Sequence, residues 1–312
     1  MLQGTADVPA TPPTAHLPAG TCMTPRIAFL TTAAMVAFAA NSVLNRLALA
    51  DGDMDAVTYT GVRLVSGALM LALILLLRAD RDSRPFSGGS LGGAVALFAY
   101  AFFFSMAYVA IGAGTGALLL FASVQIGMLG WAITKGERPG PLEWVGFAIT
   151  NLFLALLLAP GLTAPDPLGA GLMVLAGLAW AAYTLIGRGS VTPLVDTAGN
   201  FMRCAPVALV LILPGLWMQS ASPIGWFYAV VSGAVASGLG YAIWYSVLPA
   251  LSRSNAAFVQ LTVPAIAAAG GVLFIAEPLT LRLITCATGI LGGVAIALWA
   301  SERRKRRDAG PG

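Results

Sequence analysis

Residues 85–134, PFSGGSLGGAVALFAYAFFFSMAYVAIGAGTGALLLFASVQIGMLGWAIT, run for fifty positions without one Asp, Glu, Lys or Arg. A helix rising about 1.5 Å per residue crosses the bilayer core in about 20 apolar residues, so this run holds two crossings. Gly112-Ala113-Gly114 is the turn between them. The same reading extends outward in both directions. Charge-free runs recur at Ile27–Asn45, Trp144–Pro165, Pro167–Gly187, Cys204–Ser252, Ser254–Ala276 and Leu283–Ser301. They predict an all-α integral membrane protein with ten transmembrane helices, at 27–48, 57–77, 90–111, 115–134, 143–160, 168–187, 197–218, 224–248, 255–275 and 280–300. Composition agrees. Of the residues 58% are hydrophobic and 10% charged, against about 45–50% and about 25% in soluble domains.

No stretch is left over for a soluble domain. The Pro-, Thr- and Ala-rich opening, residues 1–26, reads as a disordered cytoplasmic tail, and 301–312 as a basic cytoplasmic tail. With Arg303-Arg304-Lys305-Arg306-Arg307 inside, ten spans place both termini in the cytoplasm. Arg26, Arg78, Arg81, Arg84, Lys135, Arg138, Arg188 and Arg253 then also fall inside, which is the positive-inside pattern of an inner (plasma) membrane protein. Arg46 and Arg282 fall outside.

The chain also repeats itself. Residues 140 positions apart agree along most of its length: Gly93-Ala94-Val95-Ala96 with Gly233-Ala234-Val235-Ala236, Arg63 with Arg203, Glu137 with Glu277. Paired Arg and paired Glu are informative in a chain so poor in charge. The halves are 27–160 and 168–300. Each has five helices, an odd number, so the second must lie inverted relative to the first. Inverted repeats recur in secondary transporters that open alternately to either side around a site near the bilayer midplane.

Thr60-Gly61-Val62-Arg63 and Asn200-Phe201-Met202-Arg203, early in the second helix of each half, resemble the EamA-type family of the drug/metabolite transporter superfamily. So do Ala179-Trp180-Ala181-Ala182-Tyr183 in the sixth helix, and Glu137-Arg138-Pro139 and Glu277-Pro278 after the fourth helix of each half. The resemblance covers about residues 27–300. Ala40 departs from it, since members often carry a Trp there, as Trp180 does in the second half. The resemblance implies ten helices and export of amino acids or other small metabolites, with aromatic-amino-acid exporters as the nearest subgroup.

Three groups of residues are candidates for transport. Within their spans the charge-free stretches after Arg63 and Arg203, Leu64–Leu77 and Cys204–Trp217, are only 14 residues each, too short to cross alone, so each helix must extend upstream through its Arg. Such an Arg is either functional or snorkels to the surface. The inverted topology predicts Arg63–Glu277 and Arg203–Glu137 as symmetry-related gate or framework pairs. Amides deep in apolar helices form the second group: Asn41, Asn45, Gln125 and Gln260, with Tyr183 beside them. They serve as helix–helix glue or bind a polar solute. Aromatic side chains are the third: Tyr100, Phe104 and Tyr108 at four-residue spacing, Tyr241, Trp244 and Tyr245 on the repeat-related helix, and Trp180. They either pack the core or wall a cavity. The site is expected on the first, third, fourth, sixth, eighth and ninth helices.

Other motifs dissolve. Asp51-Gly52-Asp53-Met54-Asp55 lacks the turn Gly and terminal Glu of a calcium loop, and reads instead as an acidic outer loop balancing Arg46. His16, Cys22, Cys204 and Cys286 have no metal-ligand spacing. The expectation is a monomeric secondary transporter in the lipid bilayer that moves aromatic or other apolar amino acids out of the cell by alternating access. No cofactor, metal, nucleic-acid partner or catalytic residue is expected. The alternatives are a membrane-embedded enzyme, which needs a mid-span acid–base or nucleophile set that the sequence lacks, and a channel, which needs a filter or ring-forming acid.

Overall fold

The computed structural model describes residues 24–50, 52–78, 87–136, 139–159, 164–217, 221–251 and 259–308. These form ten helices: α1 Pro25–Leu49, α2 Ala56–Leu77, α3 Leu91–Tyr108, α4 Ala113–Thr134, α5 Pro141–Leu158, α6 Pro167–Ile186, α7 Pro193–Trp217, α8 Pro223–Ala250, α9 Thr262–Ile275 and α10 Leu281–Asp308. Among the described residues nine are long and apolar enough to span, and α9 is a shorter apolar helix. The residues expected to open the ninth span, 255–258, lie outside the described residues, as does the opening tail through residue 23.

Local chemistry sets the helix starts. Proline, which has no N–H to leave unpaired and a helical φ, stands at the first position of α1, α5, α6 and α8. Short polar side chains cap the exposed N–H groups: Asp55 accepts from Thr58 N at 2.8 Å, Ser90 from Gly93 N at 3.0 Å and Asp166 from Gly169 N at 2.7 Å. Asp53 and Asp55 are thereby taken up in structure rather than left to balance Arg46, because Asp53 Oδ1 also accepts from Ser222 Oγ at 2.9 Å. At the other end of the chain α10 continues as helix through the basic run to Asp308.

Contacts between helices come in sets that exchanging the halves leaves unchanged. Helix α3 packs on α6 as α8 packs on α1; α4 packs on α6 as α9 packs on α1; α2–α7, α4–α9 and α5–α10 pair repeat mates with each other. This is the signature of two inverted five-helix repeats about a pseudo-twofold axis. Where α2 meets α8, Gly233 lies so close to Ser66 Oγ and the Arg63 carbonyl that no Cβ would fit. Large apolar side chains such as Leu69, Leu76, Leu77, Leu209, Val210, Leu273 and Phe274 point outward, as a lipid-facing surface requires.

Helix α8 is not uniform. Its middle, Ser232–Leu239, is wound as a π-helix. Its repeat mate α3 is α-helical throughout.

Candidate functional site

One end of the bundle is sealed. There α1 brings Arg46 against Glu277, whose Oε1 accepts from Arg46 Nε at 3.3 Å. Glu277 also accepts from Ala113 N at 2.8 and 3.0 Å, placing a carboxylate on the positive N-terminal end of α4. Arg46 Nη1 donates to the carbonyls of Tyr108 and Val109, both at 3.1 Å. Ala276, at φ 54°, turns the chain out of α9 so that Glu277 reaches this point. The expected Arg63–Glu277 pair is therefore replaced by Arg46–Glu277. Arg46 leaves its helix at the level of Glu277, whereas Arg63 points into the bundle.

The opposite end holds a cavity of about 490 Å³. Its walls are Phe38 of α1, Trp180 and Tyr183 of α6, Asp196, Thr197 and Asn200 of α7, and Tyr241, Trp244 and Tyr245 of α8, with Gln260 before α9. Gly89, Ser90 and residues 186–190 and 193 form the mouth. Inside, the aromatic rings make a continuous surface: Trp180 stacks on Tyr241 at 5.8 Å, Phe38 lies 5.5 Å from Tyr241 and 6.0 Å from Trp244, and Tyr241 stacks on Tyr245 at 6.3 Å. Polar groups cluster on the α7 side. Thr197 Oγ1 accepts from Tyr183 Oη at 3.2 Å and donates to Tyr245 Oη at 3.3 Å. Asp196 and Asn200, one turn apart, accept the N–H groups of Gly89 (2.8 Å) and Ser90 (2.9 Å), and Ser190 Oγ donates to Asp196 Oδ2. An apolar wall with a few convergent polar groups suits an amphipathic solute.

Trp180, Tyr183, Trp244, Tyr245 and Gln260 thus come together as expected residues of one cavity. Tyr100 and Phe104 lie one layer deeper, with Tyr100 packed 4.7 Å from Trp180 and 5.2 Å from Phe104. Asn41 and Asn45 lie deeper still. Asn41 Oδ1 accepts from Ser232 Oγ (2.8 Å) and Ser237 Oγ (3.3 Å), and Asn45 donates to the Asn41 carbonyl at 2.8 Å. Gln125 is elsewhere: it lines a separate cavity of about 170 Å³ between α4, α5 and α10, beside the Glu143–Arg304 ion pair. The buried residues of α4 include Ala117, Leu118 and Ser123, whereas Gln125 is only partly buried.

The two repeat-related arginines differ. Arg63 is buried, 3% exposed. Its Nη2 donates to Tyr100 Oη at 3.2 Å and its Nε to Ser237 Oγ at 3.5 Å, while the guanidinium carbon sits 4.9 Å from the Phe104 ring centre and 5.4 Å from that of Tyr100. Arg203 is exposed near the cavity mouth, with Nη1 donating to the Gly88 and Gly199 carbonyls. Its expected partner Glu137 lies outside the described residues. The α7 groups Asp196, Thr197 and Asn200 were missed as site residues. The signal is their spacing, because 196 and 200 fall on one helical face and Asn200 opens the Arg203 motif.

Ten helices among the described residues, in two related halves with a cavity at one end and the Arg46–Glu277 contact at the other, are the architecture of a multi-span membrane protein. The chain belongs to the EamA-like transporter family, whose model matches it twice, at residues 25–159 and 167–299. It is 50% identical over 283 residues to an uncharacterized protein of Pseudomonas aeruginosa, covering 91% of this chain and 98% of that one. It is 30% identical to the threonine/homoserine exporter RhtA of Salmonella typhimurium, over 71% of this chain and 74% of RhtA. The RhtA of Escherichia coli is 27% identical over 80% of this chain and 83% of its own. A crystal structure at 20% identity, covering 86% of this chain and 99% of its own, has the same fold with a TM-score of 0.59.

Proposed function

We propose that this transporter exports amino acids across the inner membrane by alternating access, working as a monomer with both termini in the cytoplasm. The observation that carries the proposal is the cavity itself, aromatic on one wall and polar on the α7 side, with its mouth at Gly89, Ser90 and residues 186–190 and 193. In this reading the open end faces the cytoplasm, because Arg188 at its mouth and the basic end of α10 belong to the face that the positive-inside pattern puts there. An amino acid entering there lays its side chain on Trp180 and Trp244 and turns its charged head to Asp196, Thr197 and Asn200. The RhtA relatives, named for threonine and homoserine, support amino acids as the substrate class.

Counterflow into proteoliposomes tests this. Vesicles preloaded with threonine, homoserine, phenylalanine or leucine should accumulate the labelled counterpart transiently and saturably. Ohmic conductance without saturation, or no counterflow with any amino acid, would overturn the proposal.

A further inference from the structure

Arg63 is a cation without an anion. Among the described residues no carboxylate lies within ion-pair distance of it, and its Nη1 has no hydrogen-bond partner. A guanidinium held in this state is costly, since a buried charge is ordinarily paired or left fully hydrogen-bonded. The chain nevertheless builds a polar nest around it. Ser237 and Tyr100 each accept from the guanidinium, and Asn41 in turn accepts from Ser232 and Ser237. The π-helical winding of α8 makes that possible. Residues five apart face the same way in a π-helix, so Ser232 and Ser237 both reach Asn41; in an α-helix they would diverge by about 140°.

The nest draws residues from both halves and occurs only once among the described residues. At the 140 offset Asn41 corresponds to Ala181, Ser237 to Leu97, Ser232 to Gly92 and Tyr100 to Gly240. A framework role shared by both arginines would require similar surroundings in each half. Arg203 has none of these partners at its equivalent positions. The asymmetry marks the Arg63 nest as a place for a ligand rather than a symmetric brace.

A single aromatic layer separates it from the cavity. Tyr100, which touches Arg63, packs at 4.7 Å on Trp180, which lines the cavity wall with Tyr241. We propose that Arg63 binds the carboxylate of the transported molecule, at a subsite reached when the Trp180–Tyr241 layer moves aside. The free donors there are Nη1 and the Tyr100 hydroxyl proton, and a carboxylate accepting from both forms charge-assisted hydrogen bonds. This deepens the amino-acid reading and rests on it: the head enters at the α7 side of the cavity, and its carboxylate passes to Arg63 as the carrier closes around it.

The test uses the full-length protein in proteoliposomes, with labelled L-threonine, and L-threonine or L-threoninamide as competitor. The amide should compete at least about 30-fold more weakly than the acid, the scale of losing one buried charge-paired contact. Arg63→Met should lower counterflow by about 100-fold. In detergent, Arg63→Met should melt at or above the wild-type temperature and lose the shift that L-threonine gives the wild type, because it removes an uncompensated buried charge. A structural brace would melt lower instead. If Arg63→Met does not fold, Arg63→Lys decides the matter: a compact ammonium should raise KM about tenfold, and an unchanged KM overturns the proposal. Equal competition by the amide, or Arg63→Met counterflow within about threefold of wild type, also overturns it while leaving amino-acid export standing. If the wild type carries no amino acid, that reading fails, and the same variants are measured with labelled L-lactate and 2-oxobutyrate. Arg63-dependent transport of either sustains the carboxylate site, and transport of neither removes it.

Discussion

Arg63 and Arg203 stand at the same position of two related repeats and live in opposite surroundings. The first is enclosed by Tyr100, Phe104 and Ser237 beneath the aromatic floor; the second lies at the surface, spent on the Gly88 and Gly199 carbonyls. The two ends of the molecule differ in the same sense. Arg46, Glu277 and the start of α4 close one end, and the other opens between α6, α7 and α8. In an inverted-repeat carrier such asymmetry is what a single conformer must show, because the opposite conformer exchanges the surroundings of the two halves. What does not exchange is chemistry that the repeat-related positions lack, and the Asn41–Ser232–Ser237 nest, whose mates are Ala181, Gly92 and Leu97, is the clearest case.

This comparison can be broken by mutation. The largest effect should come from Arg63→Met set beside Arg203→Met: a loss of about 100-fold in counterflow for the first, and of less than about tenfold for the second, whose guanidinium is exposed. Comparable losses would return both arginines to a shared framework role. Next, Glu277→Gln should loosen the sealed end by removing both the ion pair and the charged cap on α4. Thiol labelling of a cysteine at Val109 should speed by about tenfold, the scale of one part-buried pair. Trp180→Ala should raise KM by about tenfold through lost apolar contact. Gln125→Ala should leave transport within about twofold of wild type, since its cavity is a separate one. A large effect there would mean that the cavity beside Glu143 and Arg304 takes part in transport.

The fold was legible because it rests on two robust signals. Charge-free length marks the spans, and a gapless 140-residue offset with paired Arg and Glu marks the repeat. Both are properties of composition along the chain and need no knowledge of side-chain direction. The site was legible only in part, for the opposite reason. Aromatic residues at helical spacing on α3 and α8 announced a wall, and Trp180, Tyr183, Trp244, Tyr245 and Gln260 meet there. Gln125 and Asn45 could not be separated from them by depth alone, because which way an amide points depends on how its helix rotates against neighbours. Asp196 is hidden by the reverse effect, because a span starting at 197 excludes it whereas α7 begins at Pro193, and Asn200 lies in the expected span but reads only as part of the Arg203 motif. The pairing of Glu277 with Arg46 rather than Arg63 was illegible, since it depends on the left-handed turn at Ala276.

Alternating exposure of repeat-related positions is the central claim, and Asn200 and Thr60 test it directly. They are 140 residues apart; Asn200 lines the open cavity, and Thr60 is fully buried with its hydroxyl donating to Ala56 O. In a background with Cys22, Cys204 and Cys286 replaced by Ser, single cysteines at the two positions are exposed to a membrane-impermeant thiol reagent from each side. At rest, Asn200→Cys should react from the side bearing the C-terminus and Thr60→Cys from neither. During L-threonine exchange, Thr60→Cys should become reactive from the opposite side while Asn200→Cys becomes protected. Labelling of both from the same side, or a Thr60→Cys that stays inert throughout turnover, would contradict the account.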